Sequence, residues 1–230
     1  MAEKRRSEPP AAVLFDLDGT LIDTAPDMAA ALAEVCARRS IEPPDYALAR
    51  AAVSNGGMGL LRLALPDYAD ATLRAAVLPE FLATYERRIA QESRLFADMD
   101  RLLGDLAERE VPWGIVTNKP FHLSAKLIDA LALTDACRVL LGGDSLTARK
   151  PDPEPLRHAA ERIGTAPAAC IYVGDNRRDI EAGAGAGMQT IAAAWGYILP
   201  GDDIHDWRAD LVLDTPGALA DWLDAQPWAA

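Results

Sequence analysis

The chain has 230 residues, half of them hydrophobic and a quarter charged, and its net charge at pH 7 is −12. This composition is typical of globular proteins, and the acidic balance argues against nucleic acid as a partner, because no basic stripe is present to neutralise phosphates. No apolar run approaches the ~18 residues of a membrane-spanning helix, so we expect no membrane association. Three widely spaced cysteines without a Cys-x-x-Cys pair indicate reduced thiols and a cytoplasmic location.

The first predicted strand, residues 11–16, runs into the sequence Asp-Leu-Asp-Gly-Thr. Asp16 and Asp18 are thus two carboxylates at the carboxyl end of a buried strand, where open α/β sheets bind ligands. Side chains alternate along a strand, so both point to the same side if the extended geometry continues. Asp16 in this position suits a nucleophile that receives a phosphoryl group.

Residues 24–95 show helical character only, with helices predicted at residues 26–38, 44–53, 57–65 and 70–91. The run at residues 54–59, Ser-Asn-Gly-Gly-Met-Gly, is either a loop with free amides near a ligand or a turn between two helices. The candidates for substrate selection in this segment are Asn55, Gly56, Gly57 and Arg62.

From residue 96 onward, strands and helices alternate, which is the pattern of a parallel α/β sheet. The strands are predicted at residues 112–117, 138–142, 170–174, 189–194 and 210–213. The helices are predicted at residues 98–109, 120–132, 154–164, 177–187 and 216–225. We therefore expect an α/β core formed by residues 1–23 and 96–230, with residues 24–95 as an inserted helical unit.

Polar residues follow the strand at 112–117. Thr117 and Asn118 precede a helix, and a hydroxyl group and backbone amides at a helix N-terminus form a site for phosphate oxygens. The next residue, Lys119, is within reach of such a phosphate, but we interpret it as a surface lysine.

A third carboxylate, Asp175, follows the strand at 170–174, and Asp179 lies one helical turn further on. Carboxylates beside an anionic phosphate repel one another without a cation between them. A hard site of oxygen ligands suits Mg²⁺, which is the cofactor we expect. Asp179 either supports this site from behind or is an ordinary acid in the first turn of a helix.

Four motifs, taken together, resemble those of the haloacid dehalogenase-like superfamily of phosphatases. The motifs are Asp16–Thr20, Thr117–Asn118, Lys150 within Lys-Pro-Asp-Pro, and Gly174–Asp179. The resemblance covers essentially the whole chain. It implies a Rossmann-like parallel sheet flanked by helices, with residues 24–95 as an all-helical cap that closes over the site and selects the substrate.

The resemblance also implies a role for each matching residue. Asp16 is then the nucleophile, and Asp18 is the general acid and base. Thr117 and the backbone of Asn118 bind the phosphate, and Lys150 neutralises the charge on Asp16 and on the phosphoryl group. The implied metal ligands are the Asp16 carboxylate, the Asp18 backbone carbonyl and the Asp175 carboxylate.

Flanking sequences narrow the expected substrate. Thr-Asn-Lys-Pro, Lys-Pro-Asp-Pro-Glu-Pro and Trp-Gly-Tyr (residues 195–197) resemble the phosphoglycolate phosphatase branch, so we expect a phosphomonoesterase of that type. Other flanking stretches look more like a bacterial N-acetylmuramic acid 6-phosphate phosphatase. Three further alternatives remain compatible with the sequence. They are a phosphomutase, a nucleotidase or pyrophosphatase, and a non-catalytic protein that binds a phosphorylated metabolite. Monomer and homodimer are equally compatible with the sequence.

Overall fold

A computed structural model describes residues 9–65 and 67–226. The strands within these residues are β1 (Ala12–Phe15), β2 (Ile22–Asp23), β3 (Arg94–Leu95), β4 (Trp113–Val116), β5 (Cys137–Leu141), β6 (Cys170–Gly174), β7 (Gln189–Ala193) and β8 (Leu211–Leu213). Six of the described strands form one parallel sheet in the order β5–β4–β1–β6–β7–β8. The predicted α/β core is confirmed, and the ends of the six strands agree with the sequence prediction to within one residue.

Strand β1 lies in the middle of this sheet, between β4 and β6. Phe15 at its end is in register with Ile115 of β4 and with Val173 of β6. The residues that follow these three strands therefore meet at one edge of the sheet. This edge is the place where open parallel sheets bind ligands.

Helices cover both faces of the sheet. The helices within the described residues are α1 (Ala25–Ala37), α2 (Tyr46–Ala52), α3 (Gly56–Ala64), α4 (Ala71–Arg88), α5 (Met99–Glu108), α6 (Phe121–Ala130), α7 (Glu154–Ile163), α8 (Arg177–Ala186) and α9 (Pro216–Asp224). Alternation along β1 sends Val13 and Phe15 into a core with α5, α6 and α9, and Ala12 and Leu14 into a core with α7 and α8. In the two described ranges, none of the helices has the length and apolar character needed to span a membrane.

Residues 24–95, hereafter the helical insertion, contain helices α1 to α4, as the sequence predicted. These helices pack around a second hydrophobic core, which Leu123 and Tyr197 of the α/β core also join. Its most buried large side chains include Leu32, Leu60, Phe81 and Tyr85. Strands β2 and β3 pair antiparallel where the chain leaves and rejoins the sheet, with Ile22 opposite Leu95. The sequence did not predict this pair, because two residues are too few to show a period.

The predicted division at residues 23/24 and 95/96 falls at these two short strands, and it stays a prediction. Residues 1–8 and 227–230 of the predicted core lie outside the described residues.

Asp27 fixes the first helix of the insertion to the segment that leads back to the core. Its buried carboxylate accepts hydrogen bonds from the Glu92 backbone N–H and from both the backbone N–H and the hydroxyl group of Ser93, at 2.7–3.1 Å. A buried carboxylate is stable only when its oxygens are hydrogen-bonded, and these bonds meet that requirement. They hold the N-terminal part of α1 against the return segment.

Asp27→Ala is expected to lower the free energy of unfolding by about 2–4 kcal/mol, because it leaves the buried donors of Ser93 without an acceptor. Urea denaturation of the two proteins measures this loss. Asp45→Ala is the matched control, since Asp45 is an exposed N-cap that accepts one hydrogen bond from Ala47, and its loss should cost about 1 kcal/mol. Equal losses in the two variants would refute a special role for the buried bonds.

Candidate active site

Asp16 and Asp18 follow β1 and both line one cavity at the carboxyl edge of the sheet. The Asp16 backbone N–H donates to the carbonyl oxygen of Val173 at 2.9 Å, which continues the pairing of β1 with β6. The Asp16 carboxylate accepts a hydrogen bond from the backbone N–H of Leu17 at 2.8 Å. The two carboxylates thus face the same space, as alternation along an extended chain predicts.

Lys150 is buried behind Asp16. Its Nζ lies 2.9 Å from Asp16 Oδ1 and 2.7 Å from Asp179 Oδ1, and it donates a hydrogen bond to the hydroxyl oxygen of Tyr172 at 2.7 Å. Burial would lower the pKa of Lys150, but the carboxylates of Asp16 and Asp179 outweigh it and raise the pKa. The lysine is therefore a fixed cation at the base of the cavity.

Three buried carboxylates meet beside this lysine. Oxygens of Asp16, Asp175 and Asp179 all lie within 4.8 Å of one another. Burial, followed by the charge of the neighbouring carboxylates, raises the pKa of Asp175. This repulsion is what a divalent cation would relieve, and an all-oxygen donor set is the set that Mg²⁺ prefers. The residues present therefore fit the expected metal ion.

Two glycines make room for Asp175. Gly19 has a φ of +85°, and a Cβ atom there would lie 2.1 Å from Asp175 Oδ2. A Cβ atom on Gly196 would lie 2.2 Å from Asp175 Cβ. The Asp-x-Asp-Gly-Thr turn thus needs glycine both for its backbone conformation and for the close approach of this carboxylate.

Thr117 and Asn118 follow β4 and line the same cavity. The backbone N–H of Thr117 donates to the carbonyl oxygen of Leu141 at 2.9 Å, and Asn118 Nδ2 donates to the carbonyl oxygen of Lys150 at 2.9 Å. Asn118 therefore ties the β4 loop to the loop that carries the buried lysine. The structure brings both residues to the cavity that Asp16 lines, as the sequence predicted.

The interpretation of Lys119 as a surface lysine is wrong. Lys119 is buried, and its Nζ donates to Asp18 Oδ1 at 2.8 Å. The same nitrogen lies 4.3 Å from the centre of the Tyr85 ring, on α4 of the helical insertion. Burial would lower the pKa of Lys119, but the Asp18 carboxylate more than compensates and raises it. Its two neighbours are distant in sequence, so no local pattern indicated its burial.

The glycine-rich segment of the insertion lies over the site. Asn55, Gly56 and Gly57 line the cavity, whereas Arg62 is exposed and is not among the lining residues of this cavity. Residues 53–55 form a turn of 3₁₀ helix that leads into α3, so the run is a connection between helices that also contacts the site. The turn between two helices is thus the interpretation that fits, and a role of this segment in binding a ligand stays a prediction.

Two contacts of this segment were not predicted. The Ser54 hydroxyl group donates to Asp175 Oδ2 at 2.7 Å. Arg178, in the first turn of α8, donates to the Ser54 carbonyl oxygen at 3.0 Å and to Asn55 Oδ1 at 2.9 Å. Ser54 belongs to the glycine-rich run at residues 54–59 that the sequence already indicated as a candidate, whereas no sequence motif indicated a role for Arg178.

Tyr197 links Asp175 to the start of the insertion. Its backbone N–H donates to Asp175 Oδ2 at 2.8 Å, and its hydroxyl group donates to Asp23 Oδ1 at 2.6 Å. The same hydroxyl oxygen accepts hydrogen bonds from the backbone N–H groups of Thr24 and Ala25 at 2.8 and 3.0 Å. One tyrosine therefore connects the acidic cluster with the first turn of α1.

The cavity has a volume of about 520 Å³ and is polar at its base and apolar on the side of the helical insertion. Its apolar lining includes Met28, Val53, Met58, Leu78, Phe81, Leu82 and Leu123. Pockets of a few hundred cubic ångströms with a few convergent polar groups are typical small-molecule sites. The arrangement suits a ligand with an anionic group at the base and a second part under the insertion.

The chain matches known proteins over most of its length. Residues 13–193 match the model of the haloacid dehalogenase-like hydrolase family. The chain is 44% identical to a phosphoglycolate phosphatase of Xanthomonas campestris, over 91% of this chain and 95% of that one. It is 39% identical to an N-acetylmuramic acid 6-phosphate phosphatase of Pseudomonas putida, over 93% of this chain and 96% of that one.

A solved structure shares the fold. It is described as a predicted phosphoglycolate phosphatase of Haemophilus somnus, and it superposes with a TM-score of 0.83 at 24% identity, over 95% of this chain and 99% of that one. At this identity the likeness shows the fold alone.

Proposed function

We propose that this chain, a phosphatase that belongs to the haloacid dehalogenase-like hydrolase family, is a magnesium-dependent phosphomonoesterase that acts through an aspartyl-phosphate. The arrangement of charged groups at the base of the cavity supports this proposal. There a carboxylate, Asp16, faces the open space with a buried lysine 2.9 Å from one of its oxygens and a second carboxylate, Asp18, two residues away. A nucleophile, a fixed cation and a proton carrier are thus held together.

In the first half-reaction a carboxylate oxygen of Asp16 attacks the phosphorus atom, and the bond from phosphorus to the ester oxygen breaks. Asp18 gives its proton to that ester oxygen, which leaves as an alcohol. Lys150, Thr117 and the backbone of Asn118 stabilise the charge on the phosphoryl oxygens. Asp16 then carries the phosphoryl group as a mixed anhydride.

In the second half-reaction a water molecule attacks the same phosphorus atom, and Asp18 takes the proton of that water. The bond between phosphorus and the Asp16 oxygen breaks, which restores the carboxylate and releases inorganic phosphate. Mg²⁺ bound by the carboxylates of Asp16 and Asp175 and by the Asp18 carbonyl would neutralise charge on the phosphoryl oxygens. Asp179 holds Lys150 in place through the 2.7 Å ion pair.

We further propose that the helical insertion acts as a cap that excludes water and selects the alcohol part of the ester. The lining of the cavity by Val53–Gly57 and by α4 supports this role. Cysteines that form no disulfide in the described part of the chain support a reducing compartment such as the cytoplasm.

The first candidate substrate is 2-phosphoglycolate, which the relative at 44% identity supports. N-acetylmuramic acid 6-phosphate is the second, and a specific observation favours it. The cavity volume of about 520 Å³ is that of a pocket for a drug-sized ligand, which is more than a two-carbon acid needs.

Phosphate release from a panel of esters, with Mg²⁺ and with EDTA, tests the proposal. The panel contains 2-phosphoglycolate, N-acetylmuramic acid 6-phosphate, hexose phosphates and nucleoside monophosphates. We expect turnover of one ester class that falls to background in EDTA and returns with excess Mg²⁺, because the repulsion within the acidic cluster is then relieved.

Circular dichroism of the EDTA-treated protein is the control, since a retained fold assigns the loss to the chemistry. Full activity in EDTA would contradict the metal requirement. Isomerised ester without net phosphate release would indicate a mutase. Tight ligand binding without turnover of any ester would indicate a binding protein.

A further inference from the structure

We propose that Lys119 and Tyr85 bind a carboxylate on the alcohol part of the substrate, so that the protein selects phosphate monoesters whose alcohol carries a carboxylate. This inference rests on the proposed phosphatase function and adds the residues that choose the ester. Lys119 lies on the β4 loop of the core and Tyr85 on α4 of the insertion, and both line the cavity.

The two buried lysines differ in how far their charges are already matched within the protein. Among the described residues, Lys150 Nζ has oxygen atoms of Asp16, Asp179 and Tyr172 within 2.9 Å, so its charge is already matched within the protein. Among the described residues, Lys119 Nζ donates to Asp18 Oδ1 at 2.8 Å and also interacts with the hydroxyl group and the ring of Tyr85. An ammonium group carries three donors, so Lys119 has one donor left for a ligand.

Tyr85 is only 1% exposed, and its hydroxyl group has no acceptor among the described residues, because the neighbouring Lys119 ammonium can only donate to it. Burial raises the pKa of Tyr85 to about 12, so at neutral pH this hydroxyl group is a donor. A buried donor without an acceptor is rare in folded proteins and marks a place that a ligand or a water fills. The nearest charge is the Lys119 ammonium, so the group expected there is an anion.

The apolar surroundings favour an anionic group that belongs to the substrate over a hydrated anion from solution. Phe81, Leu82 and Leu123 contribute apolar side chains to the lining of the same cavity, and a charged hydrogen bond is stronger in such an environment than in water. Carboxylates are recognised by paired donors of this kind. Lys150 already bridges two carboxylates in this protein, and Lys119, which has one, would bridge Asp18 and the substrate carboxylate in the same way.

Two other cations among the described residues line the cavity, and neither is placed equally well. Arg178 already donates to Ser54 and Asn55 of the insertion. Arg149 is exposed, so an anion bound there stays in contact with water and gains less. The buried Lys119 is therefore the cation expected to discriminate between esters.

This inference is tested with two pairs of esters. In each pair, one ester has a carboxylate on its alcohol part and the other lacks it. The first pair is 2-phosphoglycolate and ethyl phosphate, and the second is N-acetylmuramic acid 6-phosphate and N-acetylglucosamine 6-phosphate, which lacks the lactyl group. The measured quantity is the ratio of kcat/KM within each pair. In the wild-type protein we expect the acid to be preferred in at least one pair by roughly 100-fold, because a neutral ester leaves the buried donors unpaired.

Lys119→Met should reduce the larger ratio by roughly 10- to 100-fold. Loss of the contact with Asp18 affects both members of a pair alike and cancels in the ratio, as in a double-mutant cycle. Lys119→Arg should restore part of the ratio because it keeps the charge. Lys126→Met is the matched control, since Lys126 also links the core to α4 of the insertion, through Glu86, but in an exposed ion pair. Its ratio should equal that of the wild type.

Tyr85→Phe keeps the test decisive even if Lys119→Met does not fold, because it removes a hydroxyl group that donates to no acceptor among the described residues. We expect it to reduce the ratio several-fold. The inference is overturned if Lys119→Met or Tyr85→Phe slows acid and neutral esters by the same factor, or if Arg149→Met rather than Lys119→Met removes the preference. Equal hydrolysis of both esters by the wild type overturns it while leaving the phosphatase function standing. No release from any ester overturns both.

Discussion

Asp16→Asn is expected to slow phosphate release by at least roughly 10⁴-fold while leaving the fold unchanged. An amide oxygen is a poor nucleophile, and removal of a covalent nucleophile typically costs this much or more. The replacement has nearly the same shape, and its oxygen still accepts the hydrogen bond that Asp16 takes from Leu17 N at 2.8 Å. Steady-state kinetics on the best ester of the panel gives the rate, and urea denaturation gives the stability.

Asp129→Asn is the control for a change of charge alone, because Asp129 is exposed on α6. It should retain the wild-type rate. The covalent step has its own readout: wild-type protein quenched in acid during turnover should carry phosphate on the chain, and Asp16→Asn should not. An Asp16→Asn variant with the wild-type rate would refute the proposed mechanism, since a different group would then have to be the nucleophile.

Lys150→Met is expected to lower both activity and stability. The variant leaves the buried carboxylates of Asp16 and Asp179 without the cation that lies 2.9 and 2.7 Å from them. Removal of one partner from a buried ion pair costs about 3–5 kcal/mol of folding free energy. The loss of a fixed charge beside the phosphoryl group should slow turnover by roughly 10²- to 10³-fold.

Urea denaturation with and without Mg²⁺ measures the stability of this variant. Mg²⁺ should recover part of the loss, because a cation between the carboxylates replaces some of the missing positive charge. Lys126→Met removes an exposed ion pair and should cost less than about 1 kcal/mol. If Lys150→Met were as stable as Lys126→Met, the ion pairs at the base of the cavity would contribute nothing to folding.

The core was predictable because its signals are local. Each strand of the main sheet is a short apolar run between helical stretches, and each core helix has a period of its own. Parallel strands joined by helices place their carboxyl ends at one edge. Asp16, Thr117 and Asp175 follow three such strands, so chain order alone implies that they meet.

The contacts of the helical insertion were not predictable in this way. Ser54 meets Asp175, and Tyr85 meets Lys119, only because the insertion packs over the edge of the sheet. That packing depends on the core between α1 and α4 and on the two-residue strands β2 and β3, which are too short to leave a pattern. The wrong interpretation of Lys119 has the same origin, since its burial is due to side chains from two remote segments.

The amino-acid sequence alone thus specifies the sheet and the residues at its carboxyl edge, because both follow from periodicity and chain order. The walls of the cavity are a property of the tertiary structure, because they combine side chains of the helical insertion, such as Phe81, with side chains of the core, such as Leu123. Chemistry at the base and selection under the insertion are therefore encoded at different levels. Local sequence patterns encode the chemistry at the base, and long-range packing encodes the selection under the insertion.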